Sequence, residues 1–168
     1  MGTLEYKIID NLLEKETFFK FKEAIFSKNL NWYFKEHQTH EEDEKNDPGF
    51  FSLNFFSNFS NDFIGFNYFL LELYEKINCK AVVQSRANLY VKQEKNEKLF
   101  FHRDFPFECL TAIFYMNTNN GGTILGRKEK IKIDNIENRI LIFNSQTEHA
   151  VAYPTDVKRR IIINLNYF

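Results

Sequence analysis

Arg160-Ile161-Ile162-Ile163-Asn164-Leu165-Asn166-Tyr167-Phe168 closes the chain. Successive side chains of a strand point to opposite faces, which splits this stretch in two. Ile161, Ile163, Leu165 and Tyr167 form one apolar face, suited to cover by helices. Arg160, Ile162, Asn164 and Asn166 form the other. That face carries a cation and two amides, so it lines a polar cavity or meets solvent. An arginine inside a barrel needs a partner, and a carboxylate held by its planar fork is the natural one. Arg159 then points outward.

Upstream of this strand the texture is consistent from Ala81 onward. Short β-prone segments are expected at Ala81–Val91, Leu99–Arg103, Leu110–Asn117, Thr123–Leu125, Lys130–Ile133, Arg139–Phe143 and His149–Val151. Asn119-Asn120-Gly121-Gly122 can take positive φ cheaply, and Pro154-Thr155-Asp156 punctuates a loop. Evenly spaced short strands of this number predict an antiparallel sandwich or jelly roll.

The first 80 residues read as a helical support region. Tyr6–Ile9 is a short strand ended by Asp10-Asn11. Glu14–Ser27 has helical periodicity with Phe18, Phe21 and Ile25 on one stripe. Asn31–Lys35 and Phe50–Phe56 are strand-like. Ser60-Asn61-Asp62 provides an N-cap for a helix running to about Ile77, with Phe63, Phe66, Leu70, Leu73 and Ile77 at helical spacing and Asn78 as its stop. Residues 36–49 have no periodicity, several like charges and a Pro-Gly end, so they read as an exposed loop. Such a loop can act as a flap over a pocket; a solvated charge run outweighs an adventitious metal site at His37 and His40. The expected fold is α+β: one domain over residues 1–168, with N-terminal helices packed on one sheet of a jelly-roll core at 81–168.

Composition bounds the function. The chain has 168 residues, 43% hydrophobic and 27% charged, as in ordinary globular proteins. Its 20 Phe are the deviation, and suit packed sheet faces and cavity walls. A net charge of −1 argues against a domain-wide nucleic-acid footprint. No run is long enough for a membrane span, and no charged-then-apolar signal pattern opens the chain. Met1-Gly2 lacks the later Ser or Thr of a myristoylation site, Tyr6 standing there instead. Cys79 and Cys109 have neither CxxC spacing nor disulfide density, so a reduced, cytoplasmic setting is expected.

His102-Arg103-Asp104 carries the chemistry. On a strand His102 and Asp104 share a face, with Arg103 opposite. With one more imidazole they form a 2-His-1-carboxylate set, which leaves one side of an octahedral metal open and suits non-haem Fe(II). An HxD is frequent by chance. Only four His exist in the chain, however, and His149 can be the third ligand if its strand lies beside that of His102.

In this order and spacing, several segments together resemble the Fe(II)/2-oxoglutarate-dependent oxygenases, in their prolyl 4-hydroxylase-like branch. The segments are the HxD, Thr111-Ala112-Ile113-Phe114-Tyr115-Met116-Asn117, Gly121-Gly122-Thr123, Asn138–Phe143, His149 and Arg160 in its closing strand. The resemblance covers roughly Arg86 to Phe168; small members of this kind occur in phages and marine microbes, where the host cytoplasm would be the setting. It implies a double-stranded β-helix and Fe(II) held by His102, Asp104 and His149. It implies 2-oxoglutarate bound through its C5 carboxylate by Arg160 and Tyr115, with Thr111 on the face of Tyr115. Tyr90, with Asn88, matches the C1 side, although the charged insertion from Lys92 to Lys98 departs from the pattern and leaves an ordinary sheet tyrosine as the competing reading. The implied activity is a dioxygenase using O2, with ascorbate as reductant, that hydroxylates a peptidyl residue such as proline, or a small metabolite, and releases succinate and CO2. Two alternatives stay open: a metal-binding jelly-roll module without catalysis, and a cupin-like enzyme that uses no oxoacid.

Overall fold

The computed structural model describes residues 4–37, 47–56, 64–95 and 99–168. Among the described residues ten strands are formed: β1 Tyr6–Ile9, β2 Tyr33–Lys35, β3 Phe50–Phe56, β4 Val82–Val91, β5 Leu110–Tyr115, β6 Gly122–Leu125, β7 Ile131–Asp134, β8 Ile140–Asn144, β9 His149–Ala152 and β10 Arg159–Tyr167. Two α-helices, α1 Lys15–Ile25 and α2 Asn67–Lys76, precede β4, with a 3-10 turn at Ile64–Phe66 leading into α2. The expected cap at Ser60-Asn61-Asp62, together with Phe63, His40 and Lys98, lies outside the described residues.

A seven-stranded sheet runs β1-β8-β5-β10-β4-β3-β2, and a three-stranded sheet runs β7-β6-β9. Every pairing is antiparallel. β10 lies at the centre of the large sheet and its two faces divide as its alternation predicts. Ile161, Ile163, Leu165 and Tyr167 pack with Phe18, Phe21, Ile25, Leu70 and Leu73, which is how both helices attach. Phe21 stacks on Phe69 with ring centroids 4.9 Å apart, tying α1 to α2. On the other face Ile162 joins Ile113, Leu125, Leu141 and Val151 in a second cluster between the sheets. The fold is an α+β jelly roll of the double-stranded β-helix kind.

Three expectations are corrected. The first 80 residues are not only helical support: β1, β2 and β3 extend the large sheet at both edges, because β1 pairs with β8, β3 with β4, and β2 with β3. Leu99–Arg103 does not form a strand; its backbone pairs with the small sheet through a single bridge between His102 and His149, while Leu99 and Phe101 pack on Ile124, Ala150 and Ala152. Gly121 and Gly122 do not take positive φ; among the described residues Asn11, Gly49, Asn78, Gly126 and Asn138 do. Their need is space: a Cβ on Gly122 would sit 2.5 Å from the Ile133 carbonyl oxygen, and one on Gly121 2.7 Å from that of Ala152. Asn78, at φ 57°, ends α2 as expected. No helix among the described residues is long and apolar enough to cross a membrane.

Candidate metal and carboxylate site

The bridge that replaces the expected strand is what assembles the histidines. His102 and His149 exchange backbone hydrogen bonds, each N–H donating to the other's carbonyl at 2.9 Å. Their rings lie 4.3 Å apart, centroid to centroid. Asp104, two residues on, is pinned by its N–H to the Ser145 carbonyl. Its Oδ1 lies 3.7 Å from Nε2 of His102 and 3.7 Å from Nε2 of His149. One ligand atom from each of the three fits within 4.8 Å of the others, a spacing that could hold a metal ion.

The surroundings orient these atoms. His149 Nδ1 is 3.0 Å from the Thr147 carbonyl and His102 Nδ1 is 3.4 Å from that of Phe100. Donation from Nδ1 leaves both Nε2 lone pairs facing the carboxylate. Burial, then the neighbouring His149, drives the His102 imidazole down to about 4, so it is neutral near pH 7. Burial pushes the Asp104 carboxyl up, but His149, His102, Arg86 and the Asn166 hydrogen bond outweigh it and hold it at about 2. A neutral His102 imidazole and an ionised Asp104 carboxylate are the protonation states a divalent cation requires of them.

Arg160 occupies the other end of the cavity. It is fully buried. Nε donates to Asn135 and Nη2 approaches the Thr123 hydroxyl at 3.5 Å, but Nη1 is buried without a hydrogen-bond partner. The Tyr90 and Tyr115 rings flank the guanidinium, at 5.2 Å and 5.7 Å from their centroids. No carboxylate pairs with it among the described residues. A buried cation in this state costs several kcal/mol unless an anion joins it. The residues therefore fit a small molecule that brings a carboxylate to Arg160 and reaches the metal set, which shares the cavity wall with it.

The other expected residues are placed as follows. The Tyr115 hydroxyl donates to Thr123 at 3.0 Å, within the Arg160 group. Tyr90 stands opposite Arg160 in the β4–β10 register, and Asn88 donates to the Tyr90 hydroxyl at 3.3 Å. Thr111 is at the metal end, its hydroxyl donating to Asp104 Oδ2 at 2.7 Å. Arg103 is exposed and Arg159 stacks outward on Phe26. Glu148 pairs with Arg127 at 3.1 Å, as a turn residue does. Sequence reasoning missed Asn135, which receives the Arg160 Nε–H, and Arg86, which lines the cavity from β4. No local pattern marks Asn135; Arg86 could have been found by extending the Asn88–Tyr90 alternation back by two.

Residues 85–168 match the family described as the 2OG-Fe(II) oxygenase superfamily. No curated protein matches the sequence. Among solved structures, the chain is similar to the non-heme alpha ketoglutarate dependent epimerase SnoN from nogalamycin biosynthesis, at TM-score 0.67 and 10% identity over 98% of this chain and 78% of that one. It is similar to a prolyl hydroxylase from Trichoplax adhaerens, in complex with a hypoxia inducible factor oxygen degradation domain peptide fragment, at TM-score 0.66 and 17% identity over 98% and 84%. A Pseudomonas putida prolyl-4-hydroxylase follows at TM-score 0.58 and 10% identity over 98% and 93%.

Proposed function

This chain belongs to the 2OG-Fe(II) oxygenase superfamily, and from that premise we propose that it is an Fe(II)- and 2-oxoglutarate-dependent dioxygenase that hydroxylates its substrate and releases succinate and CO2. Residues 1–168 act as one oxygenase domain, and ascorbate serves as reductant. His102, Asp104 and His149 hold the metal. Arg160 takes the C5 carboxylate of 2-oxoglutarate, with Tyr115 and Thr123 beside it. The observation that carries this reading is the pairing, in one cavity, of three converging ligand atoms with a fully buried arginine that lacks an anion.

When bound, Fe(II) and 2-oxoglutarate supply O2-dependent oxidation of a substrate C–H bond coupled to decarboxylation of the cosubstrate. The chain's own residues prepare the site for this. Thr111 and Asn166 hold one oxygen of Asp104, leaving the other for the metal. Thr147 and Phe100 fix the imidazole planes. Phe50, Tyr90, Ile113 and Ile162 wall the cavity with apolar surface that excludes water.

The test is anaerobic reconstitution with Fe(II) and 2-oxoglutarate, followed by air. Succinate should form slowly even without a primary substrate, and Asp104→Ala should abolish it. Succinate formation unchanged in that variant would refute the metal assignment. With a substrate in hand, a product gaining one oxygen atom supports hydroxylation. A product losing two hydrogens overturns hydroxylation while leaving the cosubstrate reading intact.

A further inference from the structure

The inner face of the large sheet carries a second arginine that the cosubstrate does not account for. Along β10 the inward residues are Arg160, Ile162, Asn164 and Asn166, and their β4 partners are Tyr90, Asn88, Arg86 and Gln84. Arg160 marks one end of this ladder. Asn166 marks the other, where its amide holds Asp104. Arg86 stands opposite Asn164, two residues from the Asn166 rung and four, or about 13 Å of strand, from the Arg160 rung. It is thus a cation at the level of the metal, on the cavity wall with His102 and His149.

Charge leaves it unmatched. A divalent cation and Arg160 are balanced by Asp104 and dianionic 2-oxoglutarate. Arg86 is one positive charge in excess of that balance: Asp104, whose carboxylate it favours, is already counted against the metal, and no other Asp or Glu of the described residues lines the cavity. Its Nε is buried without a hydrogen-bond partner, and so is Oδ1 of Asn164 on the facing strand. One buried donor and one buried acceptor stand open on adjacent strands, each costly unless met.

We infer that Arg86 and Asn164 form the subsite for the primary substrate's carboxylate and the donor group next to it, so that the substrate is a small amino-acid-like anion. This rests on the dioxygenase reading. Arg86 supplies a charged donor to the carboxylate, and the Asn164 carbonyl accepts from the adjoining ammonium or hydroxyl. Anchored there, the molecule meets the metal's open side with its carbon skeleton.

The test is calorimetry, without O2, on the protein loaded with Mn(II) and 2-oxoglutarate. The probes are L-proline and L-leucine, their carboxamides L-prolinamide and L-leucinamide, and inorganic phosphate. The amino acids should bind at least about tenfold more tightly than the amides, the effect of one charge-assisted hydrogen bond. Arg86→Gln should erase that preference and Arg86→Lys should keep part of it. Asn164→Leu should weaken both amino acids. Three results overturn the inference: no preference in the wild type, a preference that survives Arg86→Gln, or phosphate binding more tightly than either amino acid. Loss of 2-oxoglutarate binding in Arg86→Gln to the degree seen in Arg160→Gln also overturns it, since Arg86 would then serve the cosubstrate. Failure of the dioxygenase reading shows separately, as wild-type protein with Mn(II) that does not bind 2-oxoglutarate at all.

Discussion

Asn166 donates its side-chain amide to Oδ2 of Asp104 at 2.8 Å. The Thr111 hydroxyl donates to the same oxygen at 2.7 Å. The carboxylate is therefore fixed by one oxygen, and Oδ1 alone faces the two imidazoles. Removing the amide frees the carboxylate to rotate. Asn166→Leu should lower metal affinity by roughly 10–100-fold while leaving the fold intact. Titration with Mn(II), followed by the loss of free-ion EPR signal, measures this; wild-type affinity in the variant would contradict the proposed ligand geometry.

Arg160 makes a prediction whose sign is unusual. Burial lowers the proton affinity of its guanidinium, against the opposing pull of Tyr115, Tyr90 and Tyr153. The metal-free, cosubstrate-free protein thus carries a desolvated cation without a counter-charge. Arg160→Met fills the space without that cost, so the unliganded variant should melt no lower than wild type, and by analogy with other buried-ion replacements up to several degrees higher. With metal saturating in both proteins, added 2-oxoglutarate should raise the wild-type Tm further by mass action and leave the variant's unchanged. A variant that still gains stability from 2-oxoglutarate removes Arg160 from the carboxylate site.

How much of this was legible in the chain depends on how local each signal is. The two faces of β10 follow from alternation along one segment, so Arg160 could be turned inward with no knowledge of its neighbours. The His102–Asp104 spacing is equally local. Arg86 and Asn135 are different: their importance comes from which strand lies beside them, and Arg86 acquires meaning only opposite Asn164. The bridge at His102 is a third case. It is two hydrogen bonds long, shorter than the strand that the β-prone Leu99–Arg103 suggests, yet it sets the distance between the histidines. The strand β2, three exposed residues at the sheet edge, lies within the β-prone Asn31–Lys35, but its place beside β3 is not written in that segment.

His102 gives the metal-free protein a pH dependence. Its imidazole is held at about 4, against an ordinary value of 6.5, chiefly by burial. Between those values the unfolded chain binds a proton that the folded chain does not, so stability rises with pH there. The contribution is complete above 6.5, falls as pH drops toward 4, and amounts to about 3 kcal/mol at most. Asp104, held at about 2 against 3.8, adds a second loss below 3.8. Urea unfolding of chelator-treated protein at pH 7.5, 5.5 and 4.2 should show the first decline, and His102→Asn should flatten it. An unchanged slope in the variant would place the titration elsewhere.

Asn138 joins the N-terminal segment to the sheet, and its loss should separate stability from metal binding. It sits at φ 58°, a left-handed conformation that few side chains tolerate. Its Oδ1 accepts the Leu13 N–H at 3.0 Å and its Nδ2 donates to the Leu13 carbonyl at 2.8 Å, while its own carbonyl accepts the Leu12 N–H at 3.0 Å. Leu13 is itself buried, so neither of its backbone groups has easy access to water. Asn138→Ala leaves both unmet and adds strain from a Cβ at positive φ, a combined cost of roughly 2–4 kcal/mol. Asn138→Gly relieves the strain alone and should recover about 1 kcal/mol of that loss. Denaturant midpoints at constant m-value read these differences. Neither variant touches the His102–Asp104–His149 cluster, so metal affinity of the folded fraction should match wild type. Equal midpoints for the Ala and Gly variants would remove backbone strain from the account and leave the two lost hydrogen bonds to carry the whole effect.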